Sequence, residues 1–399
     1  MTSHNLLSHF IITCQKYPKV KALDYAGGHY TWSQLNKVSN QLAWSLIQLG
    51  VKPGDHIGVF LPNIPETLIS FLGILKAGAV HVSMSGSLKS NGVGQILENS
   101  RPRVLITTQA LKELVPQDLP FLEKVLAIGP DASLDSLLDG SSVAPILWPV
   151  RPEHLALILY TSGTTGVPKG VTHCHSGLTA NMKNFAQCIE IQQQDRVLWF
   201  LPLSHDYALN AVLSACFYTG ACLYLLPDFQ SEKVLQWISV HRITMIFGVP
   251  ANFAMLKNAN SQMDSVRLFY SSGASLPIPL SREWEARFGR CIHQSYGLSE
   301  CGICTYQYAE TYEHGSLGGV IEPMEIKVVD PESGLEQPRG QQGELIIRGP
   351  NIMRGYWNRP EENAAAIRNG WYHSGDIGVC DSKGHFKLLG RLKLVGVTR

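Results

Sequence analysis

The run Thr161-Ser162-Gly163-Thr164-Thr165-Gly166-Val167-Pro168-Lys169-Gly170 follows directly on an apolar, strand-like run, Leu155-Ala156-Leu157-Ile158-Leu159-Tyr160. That pairing constrains the fold more than any other feature of the chain: a buried strand must deliver a flexible, hydroxyl-rich turn to something anionic. Glycines let the backbone approach an anion and turn N–H groups toward it, hydroxyls add donors, and Lys169 supplies a compact positive charge. A nucleotide triphosphate is the expected ligand. The spacing is not that of the phosphate loop of kinases and GTPases, which needs four residues between its first glycine and a Gly-Lys-Ser/Thr ending; here Lys169 lies between Pro168 and Gly170.

The 399 residues suffice for a sizeable core and more than one unit. Thirty-three Lys and Arg against thirty-two Asp and Glu leave a formal charge of +1, so no global field draws the chain to nucleic acid or acidic membranes. Nine cysteines, odd in number and without paired spacing, read as reduced thiols in a cytoplasmic protein. The N-terminus lacks the basic and apolar regions of a secretory signal. The stretch Tyr207–Pro227 is free of charge, but Asn210, Ser214 and a Thr219-Gly220 breaker predict a buried helix followed by a buried strand, not a membrane span.

Apolar runs alternate with helical patterns through the first three quarters. His56–Leu61 precedes an amphipathic stretch from Glu66 to Lys76, Arg103–Thr107 is a further run, and Thr244–Val249 precedes Pro250 and a helical pattern to Leu256. This predicts layered α/β subdomains with largely parallel sheets over residues 1–315. Short strands at Met324–Asp330, Gly343–Arg348 and His385–Leu389, separated by Gly, Pro and Asp, predict a small antiparallel, β-barrel-like subdomain over 316–390.

The Thr161–Gly170 run resembles the signature loop of the adenylate-forming superfamily, which comprises acyl- and aryl-CoA ligases, adenylation domains of peptide synthetases, and luciferases. Further segments occur in that superfamily's order. Tyr30–Leu35 and Leu75-Lys76-Ala77-Gly78-Ala79 are structural resemblances. Leu201–His205 is similar to the segment that places a His or aromatic side chain, here His205, at the mouth of the acyl pocket. In amino-acid-activating relatives an Asp in this region recognises the substrate amine; Asp206 stays unassigned, because its surroundings resemble acyl ligases more.

Tyr270–Ser275 resembles the loop where Gly273, Ala274 and Ser275 pack against adenine and the acyl chain. In Gln294–Glu300 the resemblance implies that Tyr296 and Gly297 meet adenine, Ser299 the α-phosphate and Glu300 a magnesium ion. The superfamily more often has Thr where Ser299 stands. Cys301 and Cys304 form a lone Cys-x-x-Cys, read as buried small side chains and not a zinc site. Trp371–Asp376 resembles the element whose aspartate, Asp376, accepts bonds from both ribose hydroxyls; Arg391 would contact ribose or phosphate, and Lys393 would be the hinge residue.

The resemblance therefore implies the large N-terminal domain of an acid–thiol ligase. ATP and Mg2+ would bind through Thr161, Ser162, Gly163, Thr164, Thr165 and Lys169, a small carboxylic acid would become acyl-AMP with release of pyrophosphate, and CoA or a phosphopantetheine carrier would accept the acyl group. Residues 391–399 would be a hinge stub, and without the C-terminal domain that follows the hinge in relatives the chain is expected to adenylate poorly. Two other readings stay open here: a non-catalytic nucleotide- or acyl-adenylate-binding module, and a carrier-loading domain that works with an acyl-carrier protein.

Overall fold

The structure, a computed structural model, describes residues 5–129, 138, 141–146, 150–161, 168–258 and 263–392. Among the described residues three large sheets organise it, alongside two two-stranded ones. The first runs in space Gly355–Tyr356, Lys169–Cys174, Leu155–Thr161, Val80–Ser85, His56–Leu61, Val104–Thr108, Lys124–Ile128. Its last five strands are parallel, while Lys169–Cys174 and Gly355–Tyr356 add antiparallel edges.

The second sheet runs Ile292–Gln294, Leu268–Ser271, Met245–Gly248, Arg196–Trp199, Cys222–Leu225, Lys21–Tyr25, Gly28–Thr31, parallel except for the final pair. The third is antiparallel: Glu325–Val329, Gln342–Arg348, Trp371–Cys380 and Ile367–Arg368, with Phe386–Arg391 also paired to Trp371–Cys380.

Continuous apolar runs become parallel strands because both of their faces are covered. Val197, Met245 and Phe247 face the main core while Leu198 and Ile246 face a second cluster with Phe253 and Trp284. Likewise Val59 and Leu157 face the main core, and Phe60 and Ile158 a third cluster with Val93 and Leu97. The strands read from sequence in the last quarter emerge as Glu325–Val329, Gln342–Arg348 and Phe386–Arg391.

The helix Pro65–Lys76 differs from the amphipathic expectation. It is buried on nearly every side, with Glu66 the one residue left partly exposed. Leu42 of the helix Trp32–Gln48 lies so close that a Cβ at Gly73 would sit 2.9 Å from its side chain. Lys76 ends this helix inside the protein and donates to Asn36 O and Oδ1, Ser39 Oγ and Asn40 Oδ1 at 2.7–3.1 Å. Burial pulls its pKa down to about 7. The Leu75–Ala79 motif thus serves packing.

In Tyr207–Pro227 the expected helix and strand are present as Leu213–Thr219, closed by Gly220 at φ +88°, and Cys222–Leu225. A wider π-helical turn at Tyr207–Val212 precedes them, which the sequence did not announce. Among the described residues no helix is long and apolar enough to cross a membrane.

Candidate active site

Ligand sites of parallel sheets form beyond the carboxyl ends of the strands, and the predicted residues cluster there. In the second sheet, His205 follows Arg196–Trp199, Gly273–Ser275 follow Leu268–Ser271, and Tyr296–Glu300 follow Ile292–Gln294. Gly273 adopts φ +80°, and it, Ala274 and Ser275 are exposed. From the first sheet, Thr161 and Lys169 face each other across an antiparallel hairpin that frames the signature loop. Ser162, Gly163, Thr164 and Thr165 lie outside the described residues, as does Lys393. From the third sheet come Asp376 and Arg391, register partners on adjacent strands.

Side chains tie the three sheets together. The buried Tyr296 hydroxyl donates to Asp376 Oδ2 at 2.6 Å, and Arg391 Nε pairs with Asp376 Oδ1 at 2.7 Å. Ser299 and Glu300 lie at the turn of a two-stranded hairpin, in which Gly297 pairs with Ile303 and Leu298 with Gly302. Glu300 Oε1 accepts from the Tyr356 hydroxyl at 2.8 Å, and Lys169 Nζ stands 5.0 Å from the centre of that tyrosine ring. Backbone bonds complete the frame: Met353 N to Glu300 O at 2.8 Å, and Trp357 N to Gly170 O at 2.7 Å.

His173 Nε2 meets Ser299 O at 2.7 Å. Because a carbonyl only accepts, the proton sits on Nε2, and Nδ1 is left buried without a partner. Burial pulls His173 down to about 4, so it is neutral at physiological pH and its 3.9 Å approach to Asp206 Oδ1 is not an ion pair. His205 stands at the exposed rim, its Nδ1 accepting from Tyr207 N at 3.2 Å.

Two carboxyls feel opposing forces. Burial raises the Asp376 pKa, while the Tyr296 hydroxyl and the Arg391 charge act to lower it. Asp206 is pushed up to about 7, chiefly by burial and further by the Glu300 carboxylate, against a hydrogen bond from Asn210 Nδ2 at 3.0 Å. A carboxyl whose folded pKa lies above its unfolded value loses stability as pH rises from about 4 to about 7. Asp206→Asn keeps the bond from Asn210 and removes that titration. Urea unfolding should show the variant gaining roughly 1–2 kcal/mol on wild type between pH 4 and pH 8, after discounting for relaxation round the charge. A pH-independent difference would contradict the assignment.

Glu300 fits a divalent-ion ligand on its own chemistry. Among the described residues only Oε1 is engaged, leaving Oε2 as a hard oxygen, and magnesium is typically held by one or two carboxylates plus phosphate oxygens and water. Cys301 and Cys304 are fully buried free thiols directed at backbone carbonyls of Cys301 and Gly302.

Sequence reasoning missed Tyr356 and His173. The Gly355-Tyr356-Trp357 segment offered a signal, an aromatic pair beside a glycine; His173, inside the buried strand Lys169–Cys174, offered none.

The chain belongs to the AMP-binding enzyme family, whose profile matches residues 10–357. It is 32% identical to a feruloyl-CoA synthase of Amycolatopsis sp over 384 residues, 94% of this chain and 76% of that protein. The structure superposes on ATP-bound MatB from Rhodopseudomonas palustris with a TM-score of 0.91 at 26% identity, covering 98% of this chain and 79% of MatB. The inhibitor-bound N-terminal domain of FACL13 from Mycobacterium tuberculosis superposes with a TM-score of 0.90 at 28% identity, over 97% of this chain and 99% of that domain.

Proposed function

We propose that the protein converts a carboxylic acid to its acyl-adenylate with ATP and Mg2+, and that the CoA thiol then takes the acyl group as the acyl–phosphate bond breaks and AMP leaves. A substrate carboxylate oxygen forms a bond to the α-phosphorus, and the bond to pyrophosphate breaks. The nucleophile belongs to the substrate, so the protein contributes positioning and charge neutralisation; no serine or cysteine attacks.

Asp376 accepts the ribose hydroxyls, with its orientation fixed by Tyr296 and Arg391. Tyr296, Gly297 and the Gly273–Ser275 backbone border adenine. Ser299 donates to the α-phosphate, and Lys169 with Thr161 and the loop residues Ser162–Thr165 holds the outer phosphates. His205 stands at the acyl entrance. Glu300 would hold a magnesium ion, whose chemistry there would be to supply positive charge beside the phosphates. Lys393 is the pivot, and the domains divide at residues 315 and 390. The reduced thiols support a cytoplasmic setting.

The observation that carries this reading is a pair of contact chains, Arg391–Asp376–Tyr296 and Glu300–Tyr356–Lys169, which bring residues of three sheets to one hairpin. Acid-dependent pyrophosphate exchange, screened over aliphatic, aryl and amino acids, tests it. Exchange with any acid supports an enzyme, and binding without exchange supports a non-catalytic module. Presenting CoA and a phosphopantetheine carrier in parallel identifies the acceptor; the resemblance to CoA ligases favours CoA. The same assay reads how slowly the 399-residue polypeptide adenylates by itself.

Saturating Mg-ATP should also stabilise the fold. At a hundred times its dissociation constant a ligand that binds only the native state adds about 2.7 kcal/mol, a shift of several degrees or less in a chain of this size. An unchanged melting temperature with both Mg-ATP and an acyl-sulfamoyl adenosine would remove the nucleotide site.

A further inference from the structure

We propose that Asn181 is a positioning residue for adenylation: its one carboxamide holds the acyl-side wall, the hairpin carrying Ser299 and Glu300, and the segment leading to Tyr356 in a single register. The inference rests on the adenylation reading above and adds to it a residue that touches no substrate.

Asn181 lies on the helix His175–Cys188 and is fully buried. Its Nδ2 donates to Asn210 O at 2.8 Å, and its Oδ1 accepts both from Ile303 N at 3.0 Å and from Asn351 Nδ2 at 3.0 Å. Both acceptor lone pairs and one donor hydrogen are therefore used, on partners 29, 122 and 170 residues away in sequence. No local backbone geometry could set the spacing between such distant segments.

Each partner leads to the site. Asn210 belongs to the π-helical turn Tyr207–Val212, a feature often found at functional positions, and its own Nδ2 donates to Asp206, the neighbour of His205. Ile303 pairs with Gly297 at the base of the hairpin whose tip carries Ser299 and Glu300. Asn351 opens the segment in which Met353 N binds Glu300 O and Tyr356 binds the Glu300 carboxylate. The fit leaves no slack at Gly302, where φ is +58° and an added Cβ would stand 2.5 Å from Asn181 Oδ1. A buried amide with several bonds fixes geometry sharply, because losing one partner strands the others without water.

The experiment compares wild type, Asn181→Ala, Asn181→Asp and Leu178→Ala. The last removes a fully buried side chain of the same helix and serves as a stability control. Dissociation constants are measured for Mg-ATP and for cinnamoyl- and dodecanoyl-sulfamoyl adenosine, with urea unfolding on each protein.

Asn181→Ala should weaken Mg-ATP and the better-bound adenylate analogue roughly tenfold or more, whereas Leu178→Ala loses stability and keeps both affinities. Asn181→Asp keeps the acceptor for Ile303 and Asn351 and loses the donor to Asn210. It should hold Mg-ATP within about threefold of wild type while weakening the analogue about tenfold. Equal affinities in Asn181→Ala and Leu178→Ala overturn the proposal. If Asn181→Ala does not fold, Asn351→Ala decides, since it removes the Asn351 branch, with its longer bond to Ile303 O at 3.4 Å, and leaves Asn181 bonded to Asn210 O and Ile303 N: weaker Mg-ATP supports the proposal and unchanged Mg-ATP overturns it. Wild type that binds none of the ligands would sink the adenylation reading itself, a different pattern from wild-type binding retained in the variants.

Discussion

Asp376→Ala should reduce Mg-ATP affinity by one to two orders of magnitude or more. The carboxylate is almost fully buried, receives the Tyr296 hydroxyl at 2.6 Å and pairs with Arg391 at 2.7 Å. In the proposed site it also accepts from the ribose. Hydrogen bonds to a charged group are worth about 1.5–3 kcal/mol each, and every 1.4 kcal/mol is tenfold in affinity. Truncation also strands the Tyr296 hydroxyl, which sits in surroundings that raise its pKa well above the ordinary value, chiefly by burial. The aromatic ring beside adenine would then lose its anchor together with the ribose contact. Calorimetric titration of Mg-ATP checks the expectation, with circular dichroism to show that the variant is folded. Equal affinity in wild type and variant would take Asp376 out of the site.

Glu300→Gln should act on the metal and on rate. The substitution keeps an oxygen able to accept from Tyr356 but removes the negative charge proposed to hold a divalent ion. Removing one preorganised contact to developing charge commonly costs about a hundred- to thousandfold in rate. Acid-dependent pyrophosphate exchange should fall by that order, and the magnesium concentration for half-maximal exchange should rise. The Asp206 carboxyl gives an independent readout, because the Glu300 charge is one of the influences that raise its pKa. In Glu300→Gln that carboxyl should titrate at lower pH. A variant with wild-type rate and magnesium dependence would place the ion elsewhere.

Much of the fold was legible because its signals are local. A parallel strand buried on both faces has to be a short apolar run, and His56–Leu61, Leu155–Thr161 and Met245–Gly248 are such runs. The helix Pro65–Lys76 misled because its surroundings, not its sequence period, decide exposure: the helix Trp32–Gln48 packs on it and Lys76 is satisfied by Asn36, Ser39 and Asn40 of that helix.

The candidate residues were singled out in sequence only where a motif carried them. Asp376 after a glycine is an ordinary turn residue until its place in the ordered set is considered, and nothing in sequence announced that Tyr296 would bind it. Tyr356, His173 and Asn181 act through partners far along the chain: Glu300 for Tyr356, Ser299 for His173, and three separate segments for Asn181. Such contacts exist only after three sheets have closed on one another, and no periodicity or spacing encodes them.

In the proposed function Lys169, Glu300 and Asp376 frame one magnesium-dependent nucleotide site. Equilibrium dialysis of radiolabelled ATP against the wild-type chain, with and without Mg2+, and against an Asp376→Ala/Glu300→Gln double variant tests it most directly. Wild type should bind one ATP per chain in a magnesium-dependent manner, and the folded double variant should not. Failure of folded wild type to bind ATP, or equal binding by the double variant, would contradict it.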